Sequence, residues 1–230
     1  MASNPLRIAH RGMPRRLREN TLPSFAAALA AGADGIELDV HATADRVVVV
    51  HHDAHVAGGM AIARTAWPEL RRHAVAASGV EIPTLAEVCD LVHDRAELFV
   101  EIKGTGIERE VAAELGGHRG TSAIHSFDHL MIRRLSQLDR RLRLGLLFEE
   151  PVADVAATLR ANGALDAWPH YAMIDAPLVA AVQAVGGRVI AWTVNEPREL
   201  ARLAALGVDG LCTDDVSLIG ASSPQTSAGR

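Results

Sequence analysis

Only two cysteines occur in the 230 residues, Cys89 and Cys212, in unrelated segments. Two lone thiols exclude a disulfide framework and read as reduced core residues, which sets the expectation of a cytoplasmic protein. No run of about 18 apolar residues is present, so no membrane-spanning helix or stable membrane association is expected. The opening MASNPLRIAHRG has neither the apolar stretch nor the cleavage site of a secretion signal. Positive charge is not in excess: 23 Lys and Arg stand against 28 Asp and Glu, a net charge of -5. That balance gives no general attraction for nucleic acid or anionic lipid and leaves a small molecule as the expected partner. Aromatic residues make up only 3%. What remains is ordinary for a packed globular chain, 49% hydrophobic and 22% charged.

Short β-branched runs alternate with Ala/Leu-rich amphipathic stretches, the pattern of repeated βα units around a parallel sheet. Eight strands are predicted: 6–10, 35–40, 98–103, 121–126, 142–148, 164–168, 188–194 and 208–213. Helices are expected near 21–32, 84–94, 107–116, 128–139, 152–161, 176–185 and 196–206. Eight strands with intervening helices in a chain of this length predict an α/β fold, a (β/α)8 TIM-type barrel with its functional loops at the strand C-terminal ends. The valine run 47–50 stands outside the count. Only the turn TADR separates it from IELDV, too short for a parallel crossover and suited to a hairpin. Residues 54–83 then form a small helix-containing insertion before the barrel resumes. The expected organisation is one barrel domain over 1–220, followed by a small, polar, disordered tail at 221–230.

Residues two apart on a strand share a face, so in GIELDV the side chains of Glu37 and Asp39 point together, and in VEIKG those of Glu101 and Lys103 do. Carboxylates facing a barrel interior are costly unless compensated. Each could simply pair with an arginine or lysine. Three near strand C-termini, Glu37, Asp39 and Glu101, form an oxygen-rich set suited to one hard divalent cation, Mg2+ or Ca2+. His10 and Arg11 end the first strand at Gly12, and His52 ends the hairpin strand above the same opening. Two imidazoles, an arginine fork and a cation suit phosphoryl transfer on a phosphodiester. One histidine takes a proton from the nucleophile and the other protonates the leaving alkoxide, work that needs a pKa near neutrality. Lys103 adds a fixed charge to the cluster. Neighbours on a strand face opposite sides, so only one of His51 and His52 can serve.

Nine segments in order, HRG (10–12), ENTLPSF (19–25), GADGIELDVHATAD (32–45), VVVVHHD (47–53), IPTLAEV (82–88), VEIKG (100–104), SFD (126–128), AWTVN (191–195) and GVDGLCTD (207–214), resemble the glycerophosphodiester phosphodiesterase family. The resemblance runs from residue 6 to about 215. It implies a TIM-type barrel, with His10 and His52, rather than His51, as the acid/base pair. Arg11 and Lys103 would hold phosphate, Glu37, Asp39 and Glu101 would bind the metal, and Trp192 would line the pocket for the alcohol. The implied activity is hydrolysis of a small-molecule glycerophosphodiester to sn-glycerol 3-phosphate and an alcohol; our assignment within the pair is His10 as general acid and His52 as general base, roles the two could exchange between steps.

The chain departs from the family pattern at Arg18, in place of a proline before ENT, at Arg46, in place of a glycine in the hairpin turn, and at CTDDVSL, which lacks a proline after TD. Glu19 and Asn20 are expected to fix the first βα loop and cap the following helix. His41, His55, His73, His93, His118, His125, His129 and His170 lack comparable motif support and are expected at the surface or in supporting positions. A zinc amidohydrolase barrel would need a His-x-His pair on the first strand, where Arg11 and Gly12 follow His10 instead. Two alternatives share the same frame: a phospholipase D-like activity on lysophospholipids, and a barrel that binds phosphorylated ligands without catalysis.

Overall fold

A computed structural model describes residues 4–219; the expected disordered tail at 221–230 lies outside the described residues. In chain order the elements are β1 (Leu6–His10), α1 (Leu22–Ala30), β2 (Gly35–Ala42), β3 (Val48–Val50), α2 (Trp67–Ser78), α3 (Leu85–Val92), β4 (Glu97–Ile102), α4 (Glu108–Gly116), β5 (Ser122–Ser126), α5 (His129–Leu138), β6 (Arg143–Phe148), α6 (Val155–Asn162), β7 (Asp166–Pro169), α7 (Ala176–Gln183), β8 (Arg188–Ala191), α8 (Pro197–Leu206) and β9 (Gly210–Thr213). Strands β1, β2, β4, β5, β6, β7, β8 and β9 pair in parallel in that order, and β9 pairs back onto β1. The eight-stranded parallel barrel read from the sequence is therefore closed. The valine strand β3 pairs antiparallel with the end of β2, Val40 opposite Val50 and Ala42 opposite Val48, as the short connecting turn required. Within 54–83 lies helix α2, preceded by a 3-10 turn at Ile62–Arg64.

Local chemistry explains where the helices start. Thr84 opens α3 with a capping box, its hydroxyl accepting from Glu87 N while the Glu87 carboxylate accepts from Thr84 N. Asp128, Asp154 and Asp175 accept from backbone N–H groups at the starts of α5, α6 and α7. The helix expected over 152–161 begins only at Val155, because Asp154 supplies that cap. The strand expected over 188–194 ends at Ala191, because its neighbour β7 is short and Trp192 makes only an isolated bridge to His170. Arg46 keeps the left-handed conformation a glycine would take, φ 68°, and its guanidinium binds Glu110 and the Gly106 carbonyl. Cys89 and Cys212 are both free thiols.

Alternation along the strands divides the apolar residues into two populations. Ile36, Leu38, Val40, Leu98, Val100 and Ile102 pack outward against the helices. Ile8, Phe99, Ala123, Leu147, Trp168, Ile190 and Cys212 point inward and plug the barrel with a separate apolar layer. One pleat step nearer the strand C-termini, two residues on from these, stand His10, Glu101, His125, Trp192 and Asp214. The side-chain period of a strand thus places a polar layer directly above the apolar plug.

Candidate active site

Strand register aligns the polar layer. His10 is in register with Glu37, and Asp39, Glu101 and His125 form one row across β2, β4 and β5. Glu37, Asp39, Glu101 and His125 are all buried. Arg11 turns out of β1 with φ 54°, donating its N–H to the Glu37 carbonyl at 3.0 Å and to Glu37 Oε2 at 3.2 Å. Gly12 follows at φ 90°, where a Cβ would sit 2.8 Å from Ser24 Cβ, so the third position of the HRG segment requires glycine both conformationally and sterically.

Asp39 is held on one side only. Its Oδ2 accepts from Asn20 Nδ2 at 2.9 Å and lies 3.1 Å from Arg11 Nε. Its Oδ1 is buried without a hydrogen-bond partner among the described residues, the Lys103 ammonium standing 3.7 Å away. Lys103, the chain's only lysine, binds Glu101 Oε1 at 2.8 Å. Glu19 receives Arg11 Nη1 at 3.3 Å. The expectation that Glu19 and Asn20 cap the first helix needs correction. Thr21 is the cap, its hydroxyl accepting from Ser24 N, because Asn20 adopts φ 55° and its amide is spent on Asp39.

Three buried carboxylates therefore share two permanent cations, Arg11 and Lys103. Burial and the charges of Asp39 and Glu37 raise the Glu101 pKa, with His125 and Lys103 opposing. Burial also works against ionised Glu37, but His125, His10 and Arg11 outweigh it and hold this carboxyl well below its usual range. Glu37, Glu101 and His125 each place one donor atom within 4.8 Å of the others. This group could hold a metal ion; Asp39, with its unpartnered Oδ1 among the described residues, is not one of its three members.

The two histidines singled out from the sequence sit in different surroundings. His10 Nδ1 lies 2.7 Å from Asp214 Oδ1, and Asp214 is fixed in turn by Asn195, whose Nδ2 donates to Oδ2 at 2.7 Å and whose Oδ1 accepts from Asp214 N at 3.0 Å. Burial lowers the His10 pKa, but the bond to Asp214 and the charge of Glu37 more than offset it, and the net direction is up. His52 is partly exposed, its Nδ1 2.8 Å from Asp53 Oδ1. It reaches the carboxylate row through the backbone: His51 N donates to the Asp39 carbonyl at 2.9 Å, and the His52 carbonyl lies 3.1 Å from His41 Nε2. Asp53 itself lies in the field of Arg11. Trp192 stands at the rim, donating Nε1–H to the Trp168 carbonyl at 2.8 Å and meeting Phe127 edge-on at 5.5 Å. Phe127 in turn lies 5.7 Å from Lys103 Nζ.

His125, Asp214 and Asn195 were not singled out from the sequence. Asp214 and Asn195 lie at the ends of the GVDGLCTD and AWTVN segments, and His125 directly precedes SFD. Counting two residues on from each inward apolar position would have found His125 and Asp214.

A closed parallel barrel with charged side chains gathered at its strand C-terminal ends has the plan of a barrel enzyme. Comparison with known proteins makes this specific. Residues 10–218 match the model of the glycerophosphoryl diester phosphodiesterase family. A glycerophosphodiester phosphodiesterase of Caldanaerobacter subterraneus subsp. tengcongensis is 32% identical over 226 residues, spanning 90% of this chain and 93% of that protein. The crystal structure of glycerophosphodiester phosphodiesterase from Thermotoga maritima superposes with a TM-score of 0.82 at 25% identity, covering 94% of this chain and 97% of that one. An Oleispira antarctica phosphodiesterase, solved in complex with the product sn-glycerol-3-phosphate, has the same fold with a TM-score of 0.84 at 24% identity, covering 94% and 95%. The chain belongs to the glycerophosphoryl diester phosphodiesterase family and is a phosphoric diester hydrolase. Among the described residues no helix is long and apolar enough to cross a membrane.

Proposed function

We propose that this barrel hydrolyses water-soluble glycerophosphodiesters to sn-glycerol 3-phosphate and an alcohol, with one divalent cation, Mg2+ or Ca2+, held by Glu37, Asp39 and Glu101. The observation that carries the reading is the buried Asp39 Oδ1, unpartnered among the described residues, in a group of three carboxylates whose fixed cations there are Arg11 and Lys103. The cation, when bound, supplies Lewis-acid neutralisation of phosphate oxygen charge. Arg11 and Lys103 bind the remaining phosphate charge. Arg11 offers a planar fork and Lys103 a compact ammonium, whose pKa burial lowers but the neighbouring carboxylates raise further.

His52 is the general base. With Nδ1–H donated to Asp53, its Nε2 is free to take the proton from the attacking water as the new P–O bond forms. His10 is the general acid. Asp214 holds its Nδ1, which leaves Nε2–H to protonate the alkoxide as the ester bond breaks, and the bond to Asp214 favours the protonated ring by raising its pKa. Trp192, at the rim beside Phe127, lines the space for the alcohol. A member of the same fold class solved with sn-glycerol-3-phosphate supports a small glycerol phosphate ligand.

The test is a panel of glycerophosphodiesters and lysophospholipids, with released glycerol phosphate and choline measured separately, in the presence and absence of chelator. Release of glycerol phosphate from the soluble diesters, abolished by chelator and reduced at least about 100-fold by His10→Ala or His52→Ala, is the expected result. Faster turnover of lysophospholipids would establish the phospholipase D-like alternative. No turnover of any diester by the folded, metal-loaded protein would leave a binding barrel.

A further inference from the structure

We infer that His125 is a nitrogen donor in the cation site of Glu37 and Glu101, so that the site also takes imidazole-preferring transition ions such as Co2+ and Zn2+, and takes them more tightly than Ca2+. The inference rests on the cation reading of the proposed function and goes beyond it in ligand set and ion preference. His125 is 1% exposed. Among the described residues its buried Nδ1 has no hydrogen-bond partner, and its Nε2 faces Glu37 Oε1 at 3.7 Å, beyond hydrogen-bond length. A buried imidazole ordinarily satisfies its nitrogens, because an unmade bond forfeits the hydration given up on folding. Here His125 is in register with Glu101, and one of its ring nitrogens lies within 4.8 Å of a carboxylate oxygen of both Glu37 and Glu101.

The ring is also held rigidly. It stacks on Trp168 with centroids 4.2 Å apart and planes 7° from parallel. Position 145, next in the row after His125, is glycine, and a Cβ there would come within 3.0 Å of Trp168 Cδ1 and Nε1 and press the indole out of this placement by a few tenths of an ångström. A structural core histidine needs no such arrangement, whereas a donor ligand gains from having its plane fixed before the ion arrives. The chemistry of the set then fixes the preference. Carboxylate oxygens alone suit Mg2+ and Ca2+, while an imidazole nitrogen adds affinity for Co2+, Ni2+ and Zn2+ in the order of their Lewis acidity.

The experiment is isothermal titration of the chelator-stripped full-length protein with Ca2+, Co2+ and Zn2+, together with the visible absorption of the Co2+ form. The unmodified protein is expected to bind Co2+ and Zn2+ at least about tenfold more tightly than Ca2+. His125→Asn is expected to weaken Co2+ and Zn2+ by about ten- to a hundredfold and shift the Co2+ spectrum, with Ca2+ affinity changed less than about threefold. Unchanged Co2+ affinity and spectrum in a folded variant that still binds Ca2+ would overturn the assignment of His125 alone. Absence of binding by any of the three ions to the unmodified protein would overturn the cation reading with it. His125→Gln serves if the asparagine variant does not fold. Nitrogen hyperfine coupling to Mn2+ in the unmodified protein, lost in whichever variant folds, provides a readout independent of affinity, and its absence would count against the donor role.

Discussion

The two ends of the barrel each carry a buried ionic layer, and the layers are built on opposite plans. At the strand N-termini, two residues before the apolar plug, Asp166 receives Arg143 and Arg188 at 2.7 Å, and Glu97 grips Arg188 through both oxygens at 2.9 Å. Two carboxylates meet two guanidiniums with the forks aligned, and Arg188 also covers the Phe99 ring at 5.4 Å. At the strand C-termini Glu37, Asp39 and Glu101 share Arg11 and Lys103, and Asp39 Oδ1 has no hydrogen-bond partner among the described residues. The same pleat and the same apolar plug support both layers. One is electrically closed, each carboxylate matched to a guanidinium. The other is left short of positive charge and can accept a ligand that supplies it. Arginine serves where bidentate pairing is seen, and the single lysine, a compact cation, stands between Glu101 and Asp39.

The comparison is tested most severely by Asp166→Asn. Loss of this carboxylate leaves Arg143 without its acidic partner and Arg188 with Glu97 alone, and the expected cost is about 3 kcal/mol of unfolding free energy. That is the lower end for a broken buried pair, because Arg143 is partly open to solvent. Denaturant titration would measure it, and turnover per folded molecule should be unchanged. A loss of activity without a loss of stability would erase the distinction between the two ends.

A smaller effect is expected from Asp214→Asn, roughly a tenfold fall in turnover, equivalent to about 1.4 kcal/mol, with little change in stability. The sign of its pH effect follows from the pKa balance at His10. Burial depresses that pKa and Asp214 raises it, while Glu37 raises and Arg11 lowers it. A general acid works only while protonated, so activity declines as pH rises through its pKa. Removing Asp214 lets burial dominate, and the alkaline limb of the rate profile should move to lower pH. A limb that stays in place would deny His10 the acid role.

The smallest effect has the opposite sign. Glu101→Gln, measured in chelator, should leave stability unchanged or raise it by up to about 1 kcal/mol. Burial and the charges of Asp39 and Glu37 already disfavour the ionised Glu101, and the substitution removes that burden. The variant should also lose much of any stabilisation that added cation gives the unmodified protein. Destabilisation of the apo protein by several kcal/mol would mean that the upper layer is a structural ion-pair network like the lower one.

Much of this was legible in the chain. Period-two alternation identifies Glu37 with Asp39 and Glu101 with Lys103 as pairs on one strand face, and the turn TADR settles β3 as a hairpin strand. Cross-strand partners were not legible. Asp214 reaches His10 across 204 positions, and Glu97 reaches Arg188 across 91. His125 precedes SFD in a short strand, and its sequence neighbourhood does not reveal that the next strand carries a glycine allowing Trp168 to lie flat against it. The helix cap was misassigned to Glu19 and Asn20 because the left-handed turn at Asn20, which aims its amide at Asp39, depends on where β2 runs.

The amino-acid sequence by itself determined the barrel, its eight strands and the faces on which acids, imidazoles and the lysine would fall, since all of these follow from local periodicity and turn chemistry. Only closure of the barrel decided which charges are neutralised and which remain short of a partner, because that depends on register between strands far apart in the chain. A one-residue slip would turn each side chain to the opposite face.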